Sequence, residues 1–274
     1  MTLTVATINI LFDLREWEKR RTLLVQGLAA ENPDIIGIQE VNLAARTDKW
    51  LAEQLNLPYV FFLPYRRTAE TPSFVPEYGA AILSRHPFIR QDSLDLQSQG
   101  RFAQLVEIAV GGQSFLFCNG HYFWYPGPSQ GRVQQVQLLC DWLLKSADNQ
   151  PIIAVGDFNG TPDTPAMMLM RERFNSVYAT VHGEEPDYTC PTPLGRRGWK
   201  RWWKQVLLNL FANRTLIPWR GTLDYIYASP QLPIADCRVI LNQPDSRDRS
   251  LYPSDHFGLV ARFPSPNASQ NITG

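Results

Sequence analysis

Residues 151–159 read PIIAVGDFN, an apolar run that ends in a glycine, an aspartate and, two residues later, an asparagine. The run from Pro151 to Val155 predicts a fully buried β-strand. Gly156 permits a tight exit from this strand, which places the carboxylate of Asp157 and the carboxamide of Asn159 on the same side. Such a pair can orient a water molecule and a phosphoryl oxygen together.

Polar side chains follow other apolar strands in the same manner. Asn9 and Glu40 each come after an apolar run, with Gln39 just before Glu40, and His121 and Asp224 have similar settings. A single residue of this kind is more often a turn former than a ligand. Several in one chain indicate polar groups that converge at rigid strand ends, where carboxylates can hold a hard cation.

The triplet of Ser254, Asp255 and His256 places an acid beside an imidazole. A nearby carboxylate favours the charged form of histidine, so the triplet is a candidate part of an active site. By itself, it is also compatible with a capped turn.

The strand pattern predicts an α/β protein. Two helices are expected between the strands, one from Trp17 to Ala30 and one that begins after Ser129 as its N-cap. Some strands alternate and others are apolar throughout, which indicates sheets covered by helices on one face and by a second sheet on the other. Strands are predicted at residues 3–10, 35–41, 59–63, 79–84, 102–110, 114–119, 151–155, 223–228 and 258–263.

Composition limits the classes of function. The 274 residues carry 26 basic and 26 acidic side chains, so no whole-protein field points to a nucleic acid or a membrane. The four cysteines are far apart and lack the spacing of a zinc knuckle or a redox site. We expect no signal peptide and no membrane span, and therefore a cytoplasmic protein.

Six ordered motifs of this chain resemble those of the endonuclease/exonuclease/phosphatase superfamily. The resemblance implies hydrolysis of phosphoester bonds by a four-layer α/β/β/α sandwich of two mainly antiparallel sheets flanked by helices. It extends from about Leu3 to Phe263, so residues 1–263 are expected to form one domain. The motifs are Asn9-Ile10, Gln39-Glu40-Val41, Asn119-Gly120-His121, Gly156-Asp157-Phe158-Asn159, Leu223-Asp224-Tyr225-Ile226 and Ser254-Asp255-His256.

The resemblance also implies a metal site. Glu40 would be the principal ligand of Mg²⁺ or Mn²⁺, and Asn9 and Asp255 would support it directly or through water. A cation at this position stabilises the charge that builds on the phosphoryl group during attack by water.

Five further residues receive catalytic roles from the resemblance. Asp224 would orient and charge His256, and either Asp157 or the His256–Asp224 pair would activate the attacking water. Asn159 and His121 would hold phosphoryl oxygens.

Two local features refine the comparison with the superfamily. Many relatives carry a hydroxyl residue directly before the histidine that matches His121, whereas this chain has Gly120, so a supporting hydrogen bond is expected to be absent. The run from Asn9 to Leu11, together with Trp17 and Arg20, looks similar to the polyadenylate-exonuclease branch.

A basic and aromatic insertion is predicted at about residues 191–220. Apolar side chains at helical spacing predict a helix over 198–212, which includes Trp199, Trp202 and Trp203. This helix either docks on the domain or enters a membrane interface or covers an anionic substrate. The cationic residues are Arg196, Arg197, Lys200, Arg201, Lys204, Arg214 and Arg220.

A second aromatic patch, from Tyr122 to Tyr125, directly follows His121. Its rings can stack on a base, contact an acyl chain or pack beneath the loop.

The leading hypothesis is therefore a metal-dependent hydrolase whose substrate is a nucleic acid, a nucleotide or a phospholipid headgroup. One alternative is a lipid phosphodiesterase that the 198–212 helix recruits to membranes, with peripheral contact through its tryptophans. Another is a non-catalytic binding module, although Glu40, Asp157 and His256 are all retained. We expect a monomer, with a disordered tail at residues 264–274.

Overall fold

The computed structural model describes residues 2–68, 77–125, 127, 129–195, 203, 206, 207, 210 and 219–264. Within these ranges, the chain forms twelve strands in two six-stranded sheets, with α-helices on their outer faces. All nine predicted strands are present, and the predicted α/β class is confirmed.

The first sheet has at its centre two parallel strands, which the N-terminal part of the chain forms. Its other neighbouring strands pair in antiparallel fashion. Its strands are β1 (Thr2–Asn9), β2 (Ile35–Asn42), β3 (Tyr59–Pro64), β4 (Tyr78–Ser84), β11 (Asp236–Ile240) and β12 (Gly258–Pro264), in the order β11-β12-β1-β2-β4-β3. Pro264 pairs with Thr2, so the last strand includes the first residue of the predicted tail, and the rest of that tail lies outside the described residues.

The second sheet repeats this plan, with one parallel pair at its centre and antiparallel neighbours. Its strands are β5 (Arg90–Asp95), β6 (Phe102–Val110), β7 (Gln113–His121), β8 (Ile152–Asp157), β9 (Asn175–Ser176) and β10 (Asp224–Ala228), in the order β5-β6-β7-β8-β10-β9. In both sheets, the carboxyl ends of the parallel strands therefore carry predicted site residues.

Helices connect the parallel strands within each sheet, as parallel pairing requires. Helix α1 (Trp17–Glu31) joins β1 to β2, and α3 (Gln130–Ser146) joins β7 to β8. The predicted N-cap is confirmed, because the Ser129 side chain accepts a hydrogen bond from the backbone N–H of Arg132 at 3.5 Å. Three more helices were not predicted: α2 (Thr47–Leu55), α4 (Pro165–Arg173) and α5 (Val177–His182).

Three apolar layers confirm the predicted four-layer sandwich. Side chains such as Val5, Val155 and Ile226 fill the space between the sheets. Leu24 and Leu51, from α1 and α2, pack on the outer face of the first sheet, while residues of α3 and α4 pack on the second. Burial of apolar area in these layers is the main favourable contribution to folding.

A buried polar network interrupts the central layer. Gln39 donates from Nε2 to Asn119 Oδ1 at 2.7 Å and to Thr7 Oγ1 at 3.1 Å. Asn119 in turn donates from Nδ2 to Gln104 Oε1 at 3.2 Å. The backbones approach closely here, because a Cβ atom on Gly37 would lie 2.5 Å from Val155 Cγ2 and 2.7 Å from Asn119 Oδ1. These bonds fix the register of one sheet on the other.

The described helices include none with both the length and the apolar content needed to span a bilayer.

Candidate active site

Strand register brings three predicted site residues together in the second sheet. Strand β8 lies between β7 and β10, and its last residue, Asp157, pairs with His121 on one side and with Asp224 on the other. All three side chains are buried. The same edge of the first sheet carries Asn9, which pairs with Gln39.

A bulge at the end of β2 separates Gln39 from Glu40. The pairing of β2 with β4 shifts between Gln39 and Val41, and Glu40 has a φ of 59°, a left-handed conformation that is uncommon outside glycine. As a result, Gln39 belongs to the network between the sheets, whereas Glu40 is only partly buried and its Oε2 accepts a hydrogen bond from the backbone N–H of Phe12 at 3.2 Å.

Asn9 links the acidic groups of the two sheets. Its Nδ2 donates to Glu40 Oε1 at 3.2 Å and to Asp157 Oδ2 at 3.1 Å. Its own Oδ1 accepts from the backbone N–H of Leu11 at 3.1 Å, which fixes the orientation of the amide. One side chain thus holds two carboxylates that come from distant parts of the sequence.

Two imidazoles face the same carboxylate oxygen. Nε2 of His121 lies 3.5 Å from Asp157 Oδ2, and Nε2 of His256 lies 3.8 Å from it. The Nδ1–H of His256 donates to Asp224 Oδ2 at 2.8 Å. The backbone N–H of Asn159 donates to the other oxygen of Asp157 at 2.9 Å. Asp157 is therefore the centre of the site.

The two histidines have opposite electrostatic surroundings. Burial, with further contributions from Arg101 and His256, holds the pKa of His121 well below its usual value. Burial also disfavours a charged His256, but Asp224 and Asp157 outweigh it and raise the pKa of that ring well above its usual value. The two carboxylates carry this effect, because burial raises the pKa of the Cys190 thiol to about 12 and so keeps it neutral.

The surroundings of Glu40 and Asp157 disfavour the charged forms of these two carboxylates. Burial raises the pKa of Glu40, and the charge of Asp255 raises it further. Burial raises the pKa of Asp157 to about 7, with a further contribution from Asp224 and an opposing one from His256. A bound cation would relieve such repulsion between the acids of the site.

Two sets of donors in the site could hold a divalent cation, one at Asp157, Asp224 and His256 and one at Glu40 and Asp255. Carboxylate oxygens are the ligands that hard cations prefer. One ligand atom from each of Asp157, Asp224 and His256 lies within 4.8 Å of the other two. Asp224 Oδ1 is buried and has no hydrogen-bond partner among the described residues. Asp255, whose Oδ1 lies 3.4 Å from Ser254 Oγ, is close enough to Glu40 to act on its charge.

All eight predicted site residues thus meet at one edge of the sandwich. Over residues 6–256, the chain matches the Endonuclease/Exonuclease/phosphatase family. The chain belongs to this family. The predicted resemblance is confirmed, and the predicted reaction class, hydrolysis of phosphoester bonds, agrees with the family's name.

Individual relatives within the Endonuclease/Exonuclease/phosphatase family are distant. Nocturnin of Rattus norvegicus is 27% identical over 90% of this chain, and the match spans 59% of Nocturnin. The chain therefore covers about three fifths of the length of that relative. The probable CCR4-Not complex 3'-5'-exoribonuclease subunit Ccr4 of Encephalitozoon cuniculi is 25% identical over 100% of this chain and 64% of its own length.

A solved structure supports the fold. D. rerio TDP2, in complex with a single-strand DNA product, superposes with a TM-score of 0.74 at 17% identity, covering 96% of this chain and 99% of TDP2. The two sheets and their flanking helices are therefore the architecture of this family.

Sequence reasoning missed the buried positions of two arginines of this Endonuclease/Exonuclease/phosphatase site. Arg101 donates from Nη1 to Nδ1 of His121 at 2.8 Å and stacks over the ring of Tyr65, with its Cζ 4.4 Å from the ring centroid. Arg20 is fully buried and donates to several backbone carbonyls, which include those of Ile10 and Pro253. In a sequence, both look like ordinary surface arginines.

A third arginine holds the aromatic loop that follows His121. Arg132 is buried and donates to the carbonyl oxygens of Phe123 (3.1 Å), Tyr125 (2.6 Å) and Gly127 (2.9 Å). From its sequence alone, Arg132 looks like an ordinary surface arginine. Its described contacts are instead to the backbone, so it shapes the loop.

The predicted 198–212 helix lies mostly outside the described residues, and so do Trp199 and Trp202. At the described positions, Trp203, Val206, Leu207 and Leu210 are helical. Val206 is buried, whereas Trp203 is 38% and Leu207 47% exposed. A bridge between Cys190 and Gly221 brings the two ends of the predicted insertion together.

Proposed function

We propose that this chain is a divalent-metal-dependent phosphodiesterase that acts on nucleotides or nucleic acids. The observation that carries the proposal is the Asn9 amide, which joins Glu40 of the first sheet to Asp157 of the second. This link lies where two imidazoles also converge. Residues 1–263 would form the single catalytic domain.

Glu40 and Asp255 would hold the cation, with Asn9 as a supporting group, and Mg²⁺ or Mn²⁺ fits these oxygen donors. When bound, the cation polarises the phosphoryl oxygen and stabilises the charge that develops in the transition state. The raised pKa of Glu40, to which the charge of Asp255 contributes, supports this assignment.

The remaining residues have complementary hydrogen-bonding roles. A guanidinium group can only donate, so the Nδ1 of His121 accepts from Arg101 and its Nε2 carries the proton. His121 therefore presents a donor to a phosphoryl oxygen. The Asn159 amide nitrogen donates one hydrogen to the carbonyl oxygen of Tyr122 at 3.1 Å, and its second hydrogen would serve the same phosphoryl group. Asp224 orients His256 through Nδ1 and directs its Nε2 into the site.

Asp157 is the acceptor at the centre of these donors. Its oxygens already accept hydrogen bonds from Asn9 and from the backbone of Asn159. We assign to it the orientation of the attacking water and the removal of its proton. His256 would then stabilise the charge on the departing oxygen.

The names of the relatives favour a nucleic-acid substrate over a phospholipid. The Ccr4 relative is named as an exoribonuclease, and the TDP2 structure contains a single-strand DNA product. The seven cationic residues of the 191–220 insertion would attract such an anionic strand. The predicted monomeric state, cytoplasmic location and membrane contact stay predictions.

A substrate screen tests the proposal. The full chain is incubated with Mg²⁺ or with EDTA, and with single-stranded RNA, single-stranded DNA, nucleotides, phosphoinositides and sphingomyelin. We expect hydrolysis of a nucleic acid or nucleotide that requires the metal and is lost in Asp157→Asn. The matched control is Asp163→Asn, because Asp163 is exposed and accepts a hydrogen bond from the Thr161 hydroxyl, outside the site. The proposal would be overturned if Asp157→Asn retained hydrolysis, or if the protein hydrolysed only the lipid substrates.

A further inference from the structure

A cleft of about 640 Å³ lies beside the aromatic loop, between the turn that follows β5 and the first half of α3. This volume is within the range of small-ligand pockets, roughly 300–1,000 Å³. Its lining includes Leu96, Gln97, Phe123, Gln130 and Gln134. We call it the amide cleft.

The chemistry of the amide cleft is neutral throughout. Ten residues line it, and none of them carries a charged side chain. Gln97, Gln130 and Gln134 are exposed, so their amides can each offer both donors and an acceptor to a ligand. A phosphate or an acidic peptide would instead require cationic partners, whereas a neutral heterocycle with donors and acceptors on its edge matches this lining.

An aromatic surface continues from the cleft. The ring of Tyr125 lies 5.2 Å from that of Phe123, and the ring of Trp124 lies 4.6 Å from that of Tyr125. Trp124 is 51% and Tyr125 is 46% exposed, although Arg132 fixes the backbone of this loop. Exposed rings on a fixed loop are a platform on which bases can stack.

Both walls of the amide cleft lead to the catalytic residues. Phe123 follows His121 by two positions, and the turn of Gln97 ends at Arg101, which bonds to His121. The walls are also tied together, because Gln99 Oε1 accepts from the backbone N–H of Trp124 at 3.2 Å. Both walls of the cleft are thus continuous along the chain with residues of the proposed phosphoryl site.

We infer that the amide cleft and its aromatic rim bind an unpaired nucleobase of the substrate, next to the nucleotide whose phosphate is hydrolysed. The inference rests on the proposed function. The glutamine amides recognise the edge of the base, and the exposed rings of Trp124 and Tyr125 stack on its face or on that of its neighbour.

Two sets of variants test this base site in the full chain. Gln130→Ala with Gln134→Ala removes two amides from a helix surface and leaves a good helix former in their place. Trp124→Leu keeps an apolar side chain but removes the aromatic face, and Trp124→Phe restores a ring. Gln54→Ala is the matched control, because Gln54 is an exposed glutamine on α2, away from the cleft.

Each variant is assayed on a single-stranded oligonucleotide and on the same strand with abasic residues around the scissile bond. We expect the double glutamine variant and Trp124→Leu to raise KM about tenfold on the normal strand, which corresponds to about 1.4 kcal/mol. On the abasic strand they should match the wild type, and Trp124→Phe and Gln54→Ala should match it on both. Equal effects on the two strands, or no effect on either, would overturn the inference.

A binding measurement separates failure of the base site from failure of the proposed reaction. Calorimetric titration with adenosine monophosphate does not require turnover. It also shows whether a free nucleotide, without the rest of the strand, binds to the protein. Weaker binding by the double glutamine variant supports the base site even if no strand is hydrolysed, whereas unchanged or undetectable binding contradicts it.

Sedimentation with phosphatidylserine vesicles tests whether the aromatic rim binds a membrane instead of a base. Vesicle binding that Trp124→Leu preserves and Trp124→Ala abolishes would assign the rim to membranes and reject the inference.

Discussion

The Nη1 of Arg101 lies 2.8 Å from the Nδ1 of His121, and both side chains are buried. Because the guanidinium group can only donate, this bond fixes the proton of the imidazole on Nε2, which faces Asp157. The direction in which His121 donates is therefore set by a residue 20 positions earlier in the sequence.

Replacement of this donor is expected to lower activity without loss of the fold. In Arg101→Met, His121 is free to adopt the other tautomer, and we expect kcat/KM to fall about ten- to hundredfold, since a hydrogen bond to a charged group contributes about 1.5–3 kcal/mol. Steady-state kinetics with Mg²⁺ provides the measurement. Arg90→Met, which changes an exposed arginine of β5, is the control. A folded Arg101→Met enzyme with wild-type kcat/KM would show that the tautomer of His121 is unimportant.

The bond between Asp224 and His256 leads to a second prediction. Asp224→Asn keeps the shape of the side chain but offers Nδ1 of His256 an amide instead of a carboxylate. By comparison with the equivalent change in a serine protease triad, kcat should fall by about three orders of magnitude or more. The melting temperature, followed by circular dichroism, should change little, and Asp236→Asn on the edge strand β11 should retain activity. A loss of less than tenfold in kcat would contradict the assigned role.

Arg20 leads to a prediction about stability and metal affinity. Its guanidinium group joins the loop after β1 to Pro253, directly before the Ser254–His256 triplet. Arg20→Met leaves several buried carbonyls without a donor, so we expect the free energy of unfolding in urea to fall by about 3 kcal/mol or more. Because Asn9 and Asp255 flank the two joined segments, the Mg²⁺ concentration for half-maximal activity should also rise.

The adjacent Arg21 provides the control for Arg20. It forms a surface ion pair with Glu18 and stacks on Trp50, with its Cζ 4.7 Å from the ring centroid. Surface pairs contribute about 0–1 kcal/mol, so Arg21→Met should be near the wild type in both measurements. If the two variants behave alike, Arg20 does not organise the site.

A fourth prediction concerns the glycine before His121. A Cβ atom on Gly120 would lie 2.4 Å from the hydroxyl oxygen of Tyr122, which is buried and has no hydrogen-bond partner among the described residues. The space beside the α-carbon of Gly120 is thus occupied by the end of Tyr122. Gly120→Ser should therefore lower the free energy of unfolding by about 1–3 kcal/mol through overpacking.

Tyr122→Phe tests the cause of this clash. Alone, it should be neutral or stabilising by about 1 kcal/mol, because it removes a buried hydroxyl without a partner. Combined with Gly120→Ser, it should recover most of the lost stability, which appears as a coupling free energy in a double-mutant cycle. Strictly additive effects would mean that the two side chains do not compete for the same space.

The sequence predicted those parts of the molecule that depend on local pattern. The nine strands with clear apolar alternation or apolar runs were found, and the polar residues at their ends do converge. Three strands were missed: β5 because its residues are polar and mostly exposed, β9 because it has only two residues, and β11 because Asp236 and Arg238 interrupt its short apolar pattern. These edge strands exist through pairing with a neighbour, which local composition does not encode.

The residues that support the site could not be predicted for a related reason. Arg20, Arg101 and Arg132 act through partners that only the tertiary fold brings near, and a buried arginine has no sequence signature. Gln39 stands beside Glu40 in the sequence and was grouped with it, but the bulge in β2 separates them. Only the bulge and the left-handed backbone of Glu40 show that Gln39 lies between the sheets whereas Glu40 lies at the site.

The hydrogen bonds of Asn9 have a consequence for folding. Asn9 and Glu40 come from one sheet, whereas His121, Asp157 and Asp224 come from the other, so neither half of the sandwich contains a working centre. A folding intermediate with a single formed sheet would be catalytically silent. During refolding, the return of turnover would therefore mark the moment at which the two halves dock, independently of any spectroscopic signal from helices or strands.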